Sequence, residues 1–147
     1  MTKKEKILFS YIANIIDDER PSDVFIETSQ DISKLLKRIE KLNIETLTIA
    51  PNIENIPSES FDLFIVFDDI KVTETNIGTI KNLISQKIVI FTNFENNEKT
   101  DKTMIKLGLQ TELRDKTNKL KCFSYNLKTY NNKRDWKNPK GWANPEN

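Results

Sequence analysis

Two short stretches of the chain bring together residue types that could do chemistry. Glu27, Thr28 and Ser29 follow the apolar run "DVFI", and Asp68 and Asp69 follow the apolar run "FDLFIVF". A carboxylate at the end of a buried strand can accept from a hydroxyl or amine of a ligand, and several together can hold Mg²⁺ through oxygen ligands. The competing structural role is plainer: Thr28 or Ser29 caps the helix that follows, and the acids end their strands in solvent. Three carboxylates gathered in one crevice repel one another, so at least one shifts its pKa unless a cation or Lys joins them.

What the chain lacks narrows the chemistry further. It has no histidine, which removes Ser-His-Asp and Cys-His catalysis, His-based metal sites and the commonest general base near neutral pH. A single cysteine, Cys122, excludes an internal disulfide and a multi-cysteine zinc site, and its strand-like surroundings read as a packed, inert thiol. No apolar run approaches the ~20 residues needed to span a bilayer, and charges interrupt the N-terminal stretch too often for a signal segment. The expected location is cytoplasmic, with no membrane partner.

The elements that must position these residues can be read from periodicity. A length of 147 residues suits one domain. From Lys3 to Asp18, Ile7, Leu8, Tyr11, Ile12, Ile15 and Ile16 form a helical stripe closed by Pro21. "DVFIE" is a short strand buried on both faces. Thr28 or Ser29 is then expected to cap a helix carrying Ile32, Leu35, Leu36, Ile39 and Leu42, with Asn43 as its left-handed stop.

The stretch from Ile44 to Ala50 alternates and so belongs nearer a sheet edge, whereas "FDLFIVFDDI" should be central. A helix from about Glu74 to Ser85, the strand "KIVIFTN" and a helix ended by Gly108 continue the βα alternation. After Gly108, "LQTELR" and "KLKCFSYNL" flank the turn "DKTN" as an antiparallel hairpin, with Phe123, Tyr125 and Leu127 on one face. The expected fold is thus α/β, with about six mostly parallel strands and helices between them. It has an N-terminal helix, an antiparallel end and an irregular C-terminal arm. Residues 1–127 form the domain and 128–147 the arm.

That order, from about Lys3 to Leu127, resembles the class I S-adenosylmethionine-dependent methyltransferase fold, and the resemblance implies a Rossmann-like three-layer sandwich with strands in the order 2-1-3-4-6-5. The segment "IPSESFDLFIVFDDI" (Ile56 to Ile70) is similar to the family's fourth strand, and the hairpin led by Gly108 is similar to its final two strands. The ending "YNNKRDWKNPKGWANPEN" (Tyr130 to Asn147) also resembles that of an uncharacterised bacterial family of small methyltransferase-like proteins. By the resemblance, Glu27, Thr28, Ser29, Asp68 and Asp69 stand where S-adenosylmethionine would bind.

The chain departs from that pattern at the cofactor loop. Active members place glycines after the first strand, where the backbone must approach the cofactor and adopt positive φ. Here Glu27-Thr28-Ser29-Gln30-Asp31 stands in their place, and the first glycine is Gly78. A left-handed conformation at a residue other than glycine costs ~1–2 kcal/mol. Ala50, Pro51 and Asn52 replace the acidic residue expected after the second strand, and no length remains for the family's outer third strand and its helix.

The net charge is +1, but the segment from Arg114 to Lys140 carries nine basic residues against Asp115 and Asp135, a net of +7 that leaves about −6 for the remainder. Basic residues interleaved with Tyr125, Tyr130, Trp136 and Trp142 suit nucleic acid, but they suit better an arm whose aromatic rings cover its own domain or a partner. The arm repeats Trp-x-Asn-Pro at Trp136 and Trp142, each unit a rigid corner, and both indoles are expected to dock on the domain or a partner. The leading expectation is a methyltransferase-like domain with a degenerate cofactor loop, without a cofactor or metal, working as a binding or scaffold protein through a protein partner or self-association. Two alternatives stay open: an atypical S-adenosylmethionine-dependent methyltransferase, and an RNA- or DNA-associated protein.

Overall fold

A computed structural model describes residues 2–53, 61–80, 85–93 and 98–126. Helix α1 spans Lys3–Glu19 and begins with a capping box. The Thr2 hydroxyl accepts from the Glu5 N–H, and the Glu5 carboxylate accepts from the Thr2 N–H. Arg20, at φ 48°, ends it in the left-handed region. Strand β1 (Asp23–Glu27) leads to α2 (Ser33–Ile39), a 3-10 turn (Glu40–Leu42) and β2 (Thr46–Ala50), with Asn43 at φ 56° as the expected left-handed stop. Then come β3 (Phe61–Val66), α3 (Glu74–Thr79), β4 (Ser85–Asn93), α4 (Glu98–Lys106), β5 (Gln110–Asp115) and β6 (Leu120–Asn126).

The six strands form one sheet in the order β2-β1-β3-β4-β6-β5, the order that the resemblance implies. β2, β1, β3 and β4 are parallel; β6 runs antiparallel to both β4 and β5. Each face of the sheet carries its own core. On one, Leu8, Phe9, Ile12 and Ile16 of α1 and Leu35 and Ile39 of α2 meet Val24, Ile26, Leu63 and Ile65. On the other, Ile77, Ile80 and Met104 cover Phe25, Phe64, Ile88, Ile90 and Phe123, with Phe25 and Phe64 stacked at 4.6 Å. Burying each such aliphatic or aromatic side chain is worth ~1.5–3 kcal/mol, and the strands buried on both faces are the central ones.

Several expected boundaries shift. α2 starts at Ser33, with Ile32 at the cap position, so neither Thr28 nor Ser29 caps it. β3 ends at Val66, which leaves Asp68 and Asp69 in the following turn. Ser85, expected to close a helix, opens β4; Ile84, Leu127 and the arm with Trp136 and Trp142 lie outside the described residues. Cys122 is buried in the sheet as expected, and burial pushes its thiol up to about 12.

Candidate functional site

The parallel strands place their carboxyl ends together, and the strand order reverses between β1 and β3, where open α/β sheets form a ligand crevice. The backbone ties the end of β1 to both neighbours: on the β3 side the Phe67 N–H donates to the Glu27 carbonyl at 3.0 Å, and on the β2 side the Thr28 N–H donates to the Ala50 carbonyl at 3.0 Å. Glu27 and Thr28 are thereby fixed at the top of the sheet, and both are buried.

Asp69 crosses from the β3 side to meet them. Its Oδ1 accepts from the Thr28 hydroxyl at 2.8 Å, and its Oδ2 accepts from the Ser29 N–H and hydroxyl, both at 2.9 Å. A carboxylate offers about four acceptor positions, so Asp69 is mostly committed to its own chain. The Thr28 hydroxyl also accepts from the Gln30 N–H at 3.1 Å, turning the chain sharply at the point where a cofactor loop would open. Asp31, rather than Thr28 or Ser29, supplies the turn into α2: its Oδ1 accepts from the Ser33 N–H and hydroxyl. The result is a strap of hydrogen bonds across the ends of β1 and β3.

Beneath that strap lies Glu27, 5% exposed. Among the described residues no donor bonds its carboxyl. Burial, with the nearby negative charge of Asp69 as the second cause, raises its pKa to about 7. Asp68 goes elsewhere. It forms an ion pair with Lys4 of α1, and the two line a cleft of about 430 Å³ with Thr2, Glu5, Leu8, Gln30 and Asp31.

Four of the five anticipated residues therefore meet in one hydrogen-bonded or electrostatic group, and Asp68 is drawn away by a lysine. Lys4 was not among the sequence candidates. Its signal was available, because a helix that ends just before β1 begins must carry its N-terminus back to the carboxyl end of the sheet. No group of three or more metal-ligating side chains occurs among the described residues.

A sequence profile of a family of unknown function, DUF6231, matches residues 6–147. The chain belongs to that family. The DUF6231 match runs to the last residue, so the doubled Trp-x-Asn-Pro ending is part of it. No curated protein matches the chain in sequence.

Among solved structures, the fold of this DUF6231 chain is similar to that of protein 1320 of Thermoplasma acidophilum, with a TM-score of 0.53 at 10% identity over 81% of this chain and 84% of that one. It is equally similar to the methyltransferase domain of bacterial CtHen1-CN, with a TM-score of 0.53 at 9% identity over 85% of this chain and 100% of that domain. At such identities the likeness speaks to the fold, and the fold is the methyltransferase-like one that the order of elements resembles.

Proposed function

We propose that this chain is a methyltransferase-like domain that works in binding or scaffolding rather than in methyl transfer. The observation that carries this reading is the strap. Thr28 and Ser29, standing where cofactor-binding relatives of the fold place glycines, spend their hydroxyls on Asp69 and close the turn after β1. Opening that turn for a cofactor would break the Thr28 hydroxyl's bond to the Asp69 carboxylate, a loss of ~1.5–3 kcal/mol before any contact to the ligand is made. Residues 128–147 act as an arm that docks through Trp136 and Trp142 on the domain or on a protein partner, two large apolar faces whose exposure would be adhesive.

The alternative, an atypical S-adenosylmethionine-dependent methyltransferase, draws its support from Glu27. A buried carboxyl with no donor among the described residues, in the crevice where the strand order reverses, suits a ligand hydroxyl or amine. Calorimetric titration with S-adenosylmethionine and S-adenosylhomocysteine separates the two readings. No saturable heat is expected; micromolar binding that Glu27→Ala abolishes would overturn the non-catalytic reading and establish the alternative.

The nucleic-acid reading draws less from the hairpin than the charge count suggests. Arg114 and Lys121 share Asp101, at 3.2 and 2.7 Å, and Lys121 is buried. Those two cations are spent on tying α4 to the hairpin, leaving Lys116 and Lys119 in the turn. Salt-dependent binding to single-stranded RNA or DNA would be needed to restore that reading.

A further inference from the structure

The two edges of the sheet are built differently. β5 carries Glu112, Arg114 and Asp115 within six residues, and its register with β6 slips between Thr111 and Leu113. Charge and irregularity are how proteins keep an edge strand from pairing with another chain. β2 has neither. Thr46-Leu47-Thr48-Ile49-Ala50 contains no charge and no proline, and it keeps an unbroken register with β1. Ile49 is 39% exposed, one of two large exposed hydrophobic side chains among the described residues. Beside the strand, a groove of about 760 Å³ has Leu36, Ile39, Ile44 and Leu47 in its walls.

Backbone hydrogen bonds show which groups of β2 face outward. The Thr46 N–H donates to the Ser22 carbonyl and the Ala50 carbonyl accepts from the Thr28 N–H, both at 3.0 Å and both on the β1 side. Successive residues of a strand direct their N–H and C=O to opposite sides. Thr48 therefore faces β1 with Thr46 and Ala50, while Leu47 and Ile49 direct two donors and two acceptors to the edge that no other described strand covers.

That spacing is self-complementary. With a two-fold axis through Thr48, Leu47 lies opposite Ile49 of a second copy and Ile49 opposite its Leu47, each as a hydrogen-bonded antiparallel pair. All four outward groups then find partners. The same register sets Leu47 against Ile49 on the face of the α2 groove, continuing the apolar surface across the axis. Thr48 meets its own equivalent at a non-hydrogen-bonded position.

We propose that β2 pairs with β2 of a second copy of this chain, antiparallel about Thr48, joining two six-stranded sheets edge to edge. Sedimentation of the full chain should show a dimer. Ile49→Pro removes an outward N–H, which an edge strand tolerates, so far-UV circular dichroism should be unchanged while the dimer dissociation constant rises at least tenfold. Thr48→Cys adds a positive readout. Opposed residues at such a position have Cα atoms ~4.5 Å apart, within disulfide reach, and oxidation should give a covalent dimer, with none from Gln110→Cys on β5. A chain that stays monomeric up to its solubility limit overturns the proposal, whatever then covers β2. So does a dimer that Ile49→Pro leaves intact and Thr48→Cys fails to cross-link.

Discussion

Glu27 is held in an environment that favours its neutral form, and this has a definite consequence for stability. Its carboxyl titrates at about 7 in the folded chain against an ordinary 4.5. Between those values the folded state holds a proton that the unfolded state has released, so the stability it contributes is complete below pH 4.5 and is lost as pH rises through 7. A gap of that size corresponds to roughly 3 kcal/mol. Glu27→Gln should therefore be more stable than the parent by ~1–3 kcal/mol at pH 8 and close to it at pH 4.5, as urea unfolding at the two pH values would show. A parent chain whose stability is flat across that range would contradict this account of Glu27. Asp69→Ala acts in the opposite direction. It strips the acceptor from the buried Thr28 hydroxyl and should cost ~1–2 kcal/mol, or roughly 3–8 °C in the thermal midpoint. The sequence already marked both acids, because each follows an apolar strand. It could not show that Asp69 returns to Thr28 and Ser29 while Asp68 turns to Lys4, since neighbouring residues leave a turn in different directions.

At the scale of the elements, the hydroxyls of Thr28 and Ser29 explain where the sequence reading slipped. A hydroxyl just before a helical stripe is an ordinary cap, and the same hydroxyl just after a strand is an ordinary carboxylate donor; only the position of Asp69 decides between them. The glycines were easier to interpret, and they predict opposite signs. Gly108 sits at φ 90° after α4, with its N–H donating to the Ile105 carbonyl. Gly108→Ala should destabilise by about 1–2 kcal/mol through backbone strain. Gly78 lies within α3, and a Cβ there meets nothing within 4 Å. Gly78→Ala should stabilise by ~0.5–1 kcal/mol, because alanine loses less conformational freedom in a helix. Thermal unfolding of the two variants beside the parent tests the pair, and a loss of stability in Gly78→Ala would show that α3 does not gain from helix propensity.

For the whole molecule, central and edge strands were legible because hydrophobicity grades across the sheet, while their full order came from the resemblance to the methyltransferase fold. Strands buried on both faces read as continuous apolar runs and become the centre, the alternating β2 becomes an edge, and the turn after β5 forces the antiparallel end. What the arm does was not legible in that way, since residues 128–147 have no period and Trp-x-Asn-Pro describes only a local corner. The chain nevertheless carries its own probe, for both of its tryptophans are in the arm. Indole fluorescence therefore reports on the arm, while far-UV circular dichroism reports on the helices and sheet. If Trp136 and Trp142 dock on the parent domain, their emission is blue-shifted, acrylamide quenches it weakly, and its change on urea unfolding has the same midpoint as the loss of ellipticity. Docking on a separate partner instead leaves emission near that of free indole, with no transition of its own until the partner is added. Coincident transitions are the expected result for the isolated chain, because burying two indoles removes ~150–250 Å² of surface each from water. Emission already at its unfolded value in native buffer would rule out docking on the domain and make the arm a tail awaiting its partner.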